Sequence, residues 1–507
     1  MNEEIPKVRQ SVIVIGGGYG GMACASLLAK KGYQVTLLEK NATVGGRASL
    51  IEEEGFLFDK GPSWYMMPDI FEHFFSLMEE KIEDHLTLRR LSPSYRIFLK
   101  SEKRHYDFYS DLSKTIETFE NIEAGSGEVL QKYMKTTEYQ YQTARDEFMF
   151  KNYDSIFDFF NKRVMEEGRK LPLFKKVQSI INGKFKSEIL RKVLQYQTIL
   201  LGTAPGDAPG IYSMMNYVDF IEGVWYPEGG IYKVTEALNT IAKKNGVIIR
   251  TNAEVKRIVI ENDMAVGVEQ KGGEVLFADI VISNADIVHT DQTLLPKKYQ
   301  QKSTSSWNRK LMAPSAFILY LGIKGKIPSL EHHNLLFAEH WEENFKQIFK
   351  KPEWPSDPSL YVCAPSKSDA SVAPDGYENL FVLVPIAAGL PYDDAHLAVY
   401  TEKVLEQMEQ YMNIPDLQSR ITYKKVYCVK DFITDYNSYK GSALGLAHTL
   451  SQTAIFRPNN VHKKVKNLFF VGAGTNPGIG MPICLISAEL VYKRIEGIHD
   501  PAPLASL

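Results

Sequence analysis

The alternation of apolar and polar positions is sharpest at the two ends of the chain. Ser11–Ile15 reads SVIVI, a short β-branched run. Gly16-Gly17-Gly18-Tyr19-Gly20-Gly21 follows without a gap, and Met22–Lys31 then carries alanine and leucine at helical spacing. Gln34–Glu39 (QVTLLE) is a second apolar run that ends on an acid. Strand, glycine turn, helix and strand within about 30 residues make the βαβ pattern. At the far end, Leu468–Val471 runs into Gly472-Ala473-Gly474-Thr475 and Asn476-Pro477-Gly478-Ile479-Gly480, and a helix is predicted from about Met481 to Arg494. Between them, Gly229-Gly230 precedes an amphipathic helix over Ile231–Asn245. Val247–Arg250, Ala253–Glu261 and Ala265–Gln270 alternate between Asn and Gly breaks and predict a small antiparallel sheet; Ala278–Asp286 returns a buried strand.

Three stretches depart from this pattern. Asn467–Ala488 has 22 residues without a charge, which is span length. Its glycines and its prolines Pro477 and Pro482 would leave backbone groups unpaired in lipid, so no transmembrane helix is expected. Aromatics cluster over Phe148–Phe160, and Arg169–Lys192 then holds eight Lys/Arg against the single acid Glu188. Leu171, Leu173, Phe174, Val177, Ile180 and Ile181 fall near one face. That segment reads either as an interfacial contact with anionic lipid or as a solvated helix face over an ordinary core. His332-His333-Asn334 is placed in a polar turn after the strand-like Phe317–Gly322. Neighbouring rings in a strand point to opposite faces and no second ligand motif follows, so no metal site is expected.

Composition narrows the class. At ~150 residues per domain, 507 residues suggest about three units. A hydrophobic fraction of 44% and a charged fraction of 24% are those of a globular protein. With 59 Lys+Arg against 61 Asp+Glu, the net charge of −2 argues against nucleic acid as a partner. The cysteines Cys24, Cys363, Cys428 and Cys484 form no CxxC, which excludes a zinc ribbon, argues against a disulfide scaffold and suggests a reducing compartment. The first ten residues, MNEEIPKVRQ, do not read as a signal peptide. No GxSxG element is present.

The glycine turns carry the chemistry. Gly16 allows the tight turn, Gly18 lets the backbone approach a pyrophosphate, and Gly21 lets the helix pack on the strand. The helix N-terminus adds free N–H groups and about half a positive charge. Glu39 is placed to accept from a ribose diol and would repel a 2′-phosphate, which disfavours NADP. Val44-Gly45-Gly46-Arg47 supplies a second loop, where Gly46 lies close to a cofactor and Arg47 pairs with a phosphate or makes a surface ion pair. Gly61, in Phe58–Ser63, has room for a flat ring. Two distant glycine-bearing strand–helix turns are what an extended dinucleotide requires. One holds the pyrophosphate, and the other, with Gly474, Thr475, Gly480 and Met481, holds the far end of the dinucleotide.

The order GGGYGG…E…VGGR resembles the glutathione-reductase-type FAD domain of amine oxidases and carotenoid desaturases. Asp59–Phe75 (DKGPSWYMMPDIFEHFF) is similar to bacterial-type phytoene desaturases, as are Val224–Gly230, Tyr320–Gly322, His332–Leu335, Asp357–Pro365 and the carboxy-terminal NLFFVGAGTNPGIG. The chain departs from that pattern at Asn476 and Ile479, and it lacks the acid that many flavin oxidases carry at Ala473-Gly474. The resemblance implies an α/β fold with a Rossmann-like FAD-binding domain, an inserted mixed-sheet substrate domain and a helical, membrane-facing subdomain. The corresponding bounds are 1–95, 225–295 and 425–500 for the FAD domain, 96–135 and 296–424 for the substrate domain, and 136–224 for the helical one. It implies Val255 as a backbone partner of the adenine, against the plain alternative of an ordinary strand residue. It implies FAD-dependent desaturation of a linear isoprenoid such as phytoene or a C30 analogue. The expected acceptor is oxygen or a quinone, at the cytoplasmic membrane surface. A carotenoid oxygenase, saturase or isomerase on the same scaffold, a non-enzymatic prenyl-lipid carrier and an amine oxidase are the alternatives. Asn476 and Trp64 are positioned near the flavin, and no catalytic residue is assigned.

Overall fold

The computed structural model describes residues 10–102, 104–154, 171–172 and 174–507. Ser11–Ile15 lies at the centre of a five-stranded parallel sheet in the order Leu468–Phe470, Ile280–Ser283, Ser11–Ile15, Gln34–Leu38, Ile248–Arg250. The inner strands are apolar without alternation because both faces are covered, as parallel sheets require. The helix Tyr19–Lys31 returns from the first strand and packs on Tyr232–Lys244 and Met481–Glu496 through a face of glycine, alanine, cysteine and leucine. It stops at Gly32, in the left-handed region at φ 107°, whose N–H closes the last turn, and Lys30 and Lys31 complement the helix dipole there.

Ile248–Arg250 corrects one expectation. It pairs in parallel with Gln34–Leu38 and forms the edge of the large sheet, not a strand of the antiparallel one. The preceding helix Tyr232–Lys244 serves as a crossover and returns the chain in the parallel direction. The antiparallel sheet consists of Val255–Glu261, Met264–Gln270 and Val275–Phe277.

A seven-stranded mixed sheet runs in the order Ile421–Tyr427, Ser315–Lys324, Tyr377–Ile386, Leu360–Cys363, His333–Phe337, Tyr95–Leu99, Arg104–Phe108. All its pairings are antiparallel except His333–Phe337 with Tyr95–Leu99. His333 and Asn334 therefore open a wholly buried strand and not a polar turn. The hydrophobic run Leu335–Phe337 draws them in, and Asn334 is satisfied by the carbonyls of Glu331 and Val362.

The helices Leu112–Ile122, Ser126–Ala144, Val177–Asn182 and Glu188–Gln195 pack on one end of that sheet around Tyr95, Phe108 and Phe337. The apolar positions of the basic segment are divided. Leu171, Val177 and Ile181 are buried, the latter two in this core, whereas Phe174 is 87% exposed beside exposed Lys175. Lys192 is buried and donates to the carbonyls of Ala338 and Glu339. Residues 155–160 of the aromatic cluster, and Arg169, Lys170 and Leu173, lie outside the described residues. Among the described residues no helix is long and apolar enough to cross a membrane.

Candidate active site

Three glycine-bearing loops converge at the carboxyl ends of the parallel strands. The Gly45 N–H donates to Gly17 O at 2.8 Å, which sets the Val44–Arg47 loop beside the first turn. The turn after Phe470 meets the same place from the other end of the chain. A Cβ on Gly20 would lie 2.9 Å from Gly472 Cα, a separation that only two glycines permit. Asn284, just past the strand between them, donates from Nδ2 to Gly16 O at 3.2 Å, and its Oδ1 abuts Gly472. The amino-terminal and carboxy-terminal turns thus touch, as a single clasped dinucleotide requires.

One cavity of about 690 Å³ opens over these loops. Gly16, Gly18, Glu39, Gly46, Arg47, Gly61, Val255, Gly474, Gly480 and Met481 line it, as do Trp64 and Asn476. Two predicted residues do not. Gly21 sits behind the wall, where a Cβ would overlap Gly16 O; its role is to bring the helix onto the strand. Thr475 turns away, donating from Oγ1 to Pro458 O at 2.7 Å, because its backbone carbonyl is held by Arg457 Nε at 2.8 Å.

Glu39 is buried, and its oxygens accept from the N–H groups of Gly17 and Asn41, each at 2.8 Å. Burial raises its pKa against those two bonds. Each oxygen keeps a second lone pair for a ribose hydroxyl. Arg47 donates from Nη2 to Ser438 Oγ at 3.1 Å, while its buried Nε has no partner. The glycine turns, two helix N-termini, a carboxylate at the second strand and an unpartnered guanidinium nitrogen on a residue of the cavity wall fit FAD, which Gly16, Gly18, Glu39, Arg47, Gly61, Gly474, Gly480 and Met481 would hold.

Several functional groups have no local sequence signature. Arg457 is buried and spans the last loop, donating to the carbonyls of Thr475, Ala473, Leu446 and Gln452; burial lowers its pKa to about 10. His448 accepts the Ile479 N–H at Nε2 and meets Tyr212 Oη at Nδ1; burial keeps it neutral. Behind the apolar wall, Asp219 Oδ2 receives Tyr95 Oη at 2.7 Å, Tyr196 Oη at 3.1 Å and Gln197 Nε2. Its Oδ1 has no partner. Burial outweighs these three bonds and raises its pKa to about 7. Tyr196 itself lines the cavity, alongside Trp64, Leu335, Phe337, Trp341 and Ile348.

The model of the flavin-containing amine oxidoreductases matches residues 19–495. The carotenoid 3,4-desaturase of Haloarcula japonica is 43% identical over 95% of this chain and 97% of its own. The zeta-carotene-forming phytoene desaturase of Myxococcus xanthus is 35% identical over 96% and 93%, and a 4,4'-diapophytoene desaturase of Staphylococcus haemolyticus 32% identical over 96% and 98%. Among solved structures, an oxidoreductase from Methanosarcina mazei superposes with a TM-score of 0.63 at 17% identity, over 95% of this chain and 100% of that one. Putrescine oxidase bound to putrescine gives 0.61 at 15%, over 97% and 99%, and Rab GDI from Plasmodium falciparum 0.55 at 11%, over 97% and 99%. At those identities the structural likeness is one of fold alone, so the carrier alternative draws only on the fold. The chain belongs to the flavin-containing amine oxidoreductase family and, within it, to the carotenoid desaturases. It is an FAD-dependent oxidoreductase acting on CH–CH groups.

Proposed function

We propose that this chain introduces double bonds into a linear isoprenoid hydrocarbon, phytoene or a C30 analogue, at a membrane surface. The reading rests on one observation: the glycine loops that fit FAD and a wall of Trp64, Leu335, Phe337, Trp341 and Ile348 belong to the same cavity. A hydrocarbon offers no hydrogen bonds, so such a wall is its only means of recognition, at ~0.8 kcal/mol per buried CH2. Bound FAD supplies a two-electron acceptor for the hydride. The protein supplies orientation and the path for the proton lost from the neighbouring carbon. Tyr196 lines the cavity and its Oη donates to Asp219 Oδ2, so a relay in which Tyr196 accepts that proton while passing its own to the carboxylate runs out of the site. Oxygen or a quinone then takes the electrons.

Membrane contact is supported by Phe174, exposed next to Lys175, with Lys184 and Lys186 also exposed on the following segment. Each basic residue near an anionic surface contributes about 1 kcal/mol. The division into FAD-binding, substrate and helical parts is supported by the separate parallel sheet, mixed sheet and helical cluster.

Anaerobic mixing of the FAD-loaded protein with phytoene in anionic liposomes tests the reading. Oxidised-flavin absorbance should bleach, and the product should lose hydrogen in pairs by mass. Desaturation by flavin-free protein, or a product that gains oxygen or hydrogen, would overturn it.

A further inference from the structure

Beside Trp64, two histidines and a cysteine meet in the buried interior. His333 opens its strand in register with Cys363 on the antiparallel neighbour, so the two side chains share a face of the mixed sheet. His332 precedes the strand and is not bound by its alternation. Its ring turns back to lie 4.5 Å from that of His333, centroid to centroid, at 68°. The divergence of adjacent rings expected for a strand pair does not occur. One ring nitrogen of each histidine and Cys363 Sγ all lie within 4.8 Å of one another. The three residues are 3%, 0% and 1% exposed. None of them lines the cavity described above.

We infer that His332, His333 and Cys363 bind one thiophilic closed-shell metal ion, Cu(I) in preference to Zn(II).

His333 Nδ1 meets Tyr361 Oη at 2.8 Å, and His332 Nδ1 meets Ser368 Oγ at 3.0 Å. Both Nε2 atoms are buried without a partner. A buried nitrogen left bare is costly, and two on adjacent residues beside a thiol call for a ligand. With each Nδ1–H donated to a hydroxyl, each Nε2 presents a lone pair, the way outer groups orient metal-bound histidines. Tyr361 extends this support to Ser63 Oγ at 2.7 Å. Cys363 gives up its thiol proton to solvent as the metal–sulfur bond forms.

Charge and ligand number choose the ion. Two imidazoles and one thiolate suit soft or borderline metals. Cu(I) with one thiolate is neutral, whereas Zn(II) leaves a net positive charge in a buried interior, where desolvation penalises it. Zinc also takes a fourth ligand, and among the described residues no further His, Cys, Asp or Glu joins the group. A bound ion would brace the wall that faces substrate, since Trp64 stacks on His333 at 4.5 Å and 10°.

The test uses the full-length FAD-loaded protein, stripped of metals with chelators. It is titrated anaerobically against a chromophoric Cu(I) complex and, separately, against a chromophoric Zn(II) complex. The wild type should withdraw one Cu(I) per chain. Cys363→Ser and His332→Gln should each weaken that binding at least tenfold while keeping the flavin spectrum. X-ray absorption of the Cu(I)-loaded wild type, which does not depend on the variants folding, should show one sulfur and two nitrogen neighbours. No copper uptake, uptake unchanged in both variants, or a shell without sulfur would overturn the site. Tighter Zn(II) than Cu(I) binding would overturn the choice of ion.

Discussion

Asp219→Asn separates the electrostatic cost of this buried carboxyl from its service as a proton acceptor. The side chain is fully buried, and burial moves its pKa from 3.8 to about 7 although three donors converge on Oδ2. At ~1.36 kcal/mol per pH unit, that displacement corresponds to about 4 kcal/mol. The folded protein binds this proton more tightly than the unfolded chain. The stability it contributes is fully present below about pH 3.8, declines as pH rises, and is gone above about pH 7. Catalysis runs the other way, because only the carboxylate can accept a proton. The rate of flavin bleaching in a single anaerobic turnover should rise tenfold per pH unit below about pH 7 and level off above it. The hydrocarbon substrate has no titratable group, so the limb belongs to the holoenzyme. Asparagine keeps an oxygen for the two tyrosines but cannot ionise. The limb should disappear, the rate should fall by ~10²–10⁴, and the decline of stability with pH should flatten. Asp59 also titrates at about 7, at the start of the helix Tyr232–Lys244, so the variant and not the profile alone identifies the group. A limb of the same midpoint in Asp219→Asn, or a wild-type rate independent of pH between about 5 and 9, would refute the assignment.

Four further perturbations probe the cofactor and the surface. Gly21→Ala puts a methyl group into Gly16 O, so the purified protein should be colourless or insoluble; a normal flavin-to-protein absorbance ratio would contradict the packing role. Glu39→Gln removes a charged acceptor worth ~1.5–3 kcal/mol, and FAD affinity by fluorescence titration should drop by about ten- to a hundredfold. Arg457→Lys cannot fork across four carbonyls, so the melting temperature and the retained flavin should both fall, with neither recovered by high salt. Phe174→Ser combined with Lys184→Glu should reduce co-sedimentation with anionic liposomes at low salt, and unchanged sedimentation would remove this face from the membrane contact.

The cofactor loops are legible in the sequence because each is local. Strand, glycines and helix follow one another within 21 residues at Ser11–Lys31 and within 29 at Leu468–Glu496, and their glycines answer to nearby backbone demands. Ile248–Arg250 is not legible in this way, since three residues of alternating character do not state whether their neighbour is Gln34–Leu38 or the hairpin that follows. The helix before them, by returning the chain to the parallel sheet, decided it.

The polar groups of the interior follow a different logic. Tyr95, Tyr196, Gln197 and Asp219 come from one strand and two short helical segments up to 124 residues apart, and each sits among apolar neighbours whose periodicity alone shapes its surroundings in the sequence. Arg457 likewise reads as a turn residue until Thr475 and Ala473 supply its acceptors. The histidine pair is the sharpest case. Adjacent rings diverge only when both residues lie within the strand, and the strand begins at His333. A one-residue difference in a strand boundary, which sequence patterns do not resolve, is what separates two unrelated imidazoles from a pair that faces one sulfur. Long-range polar clusters of this kind are assembled by the register of strands, so their chemistry becomes visible only once His333 is paired with Cys363.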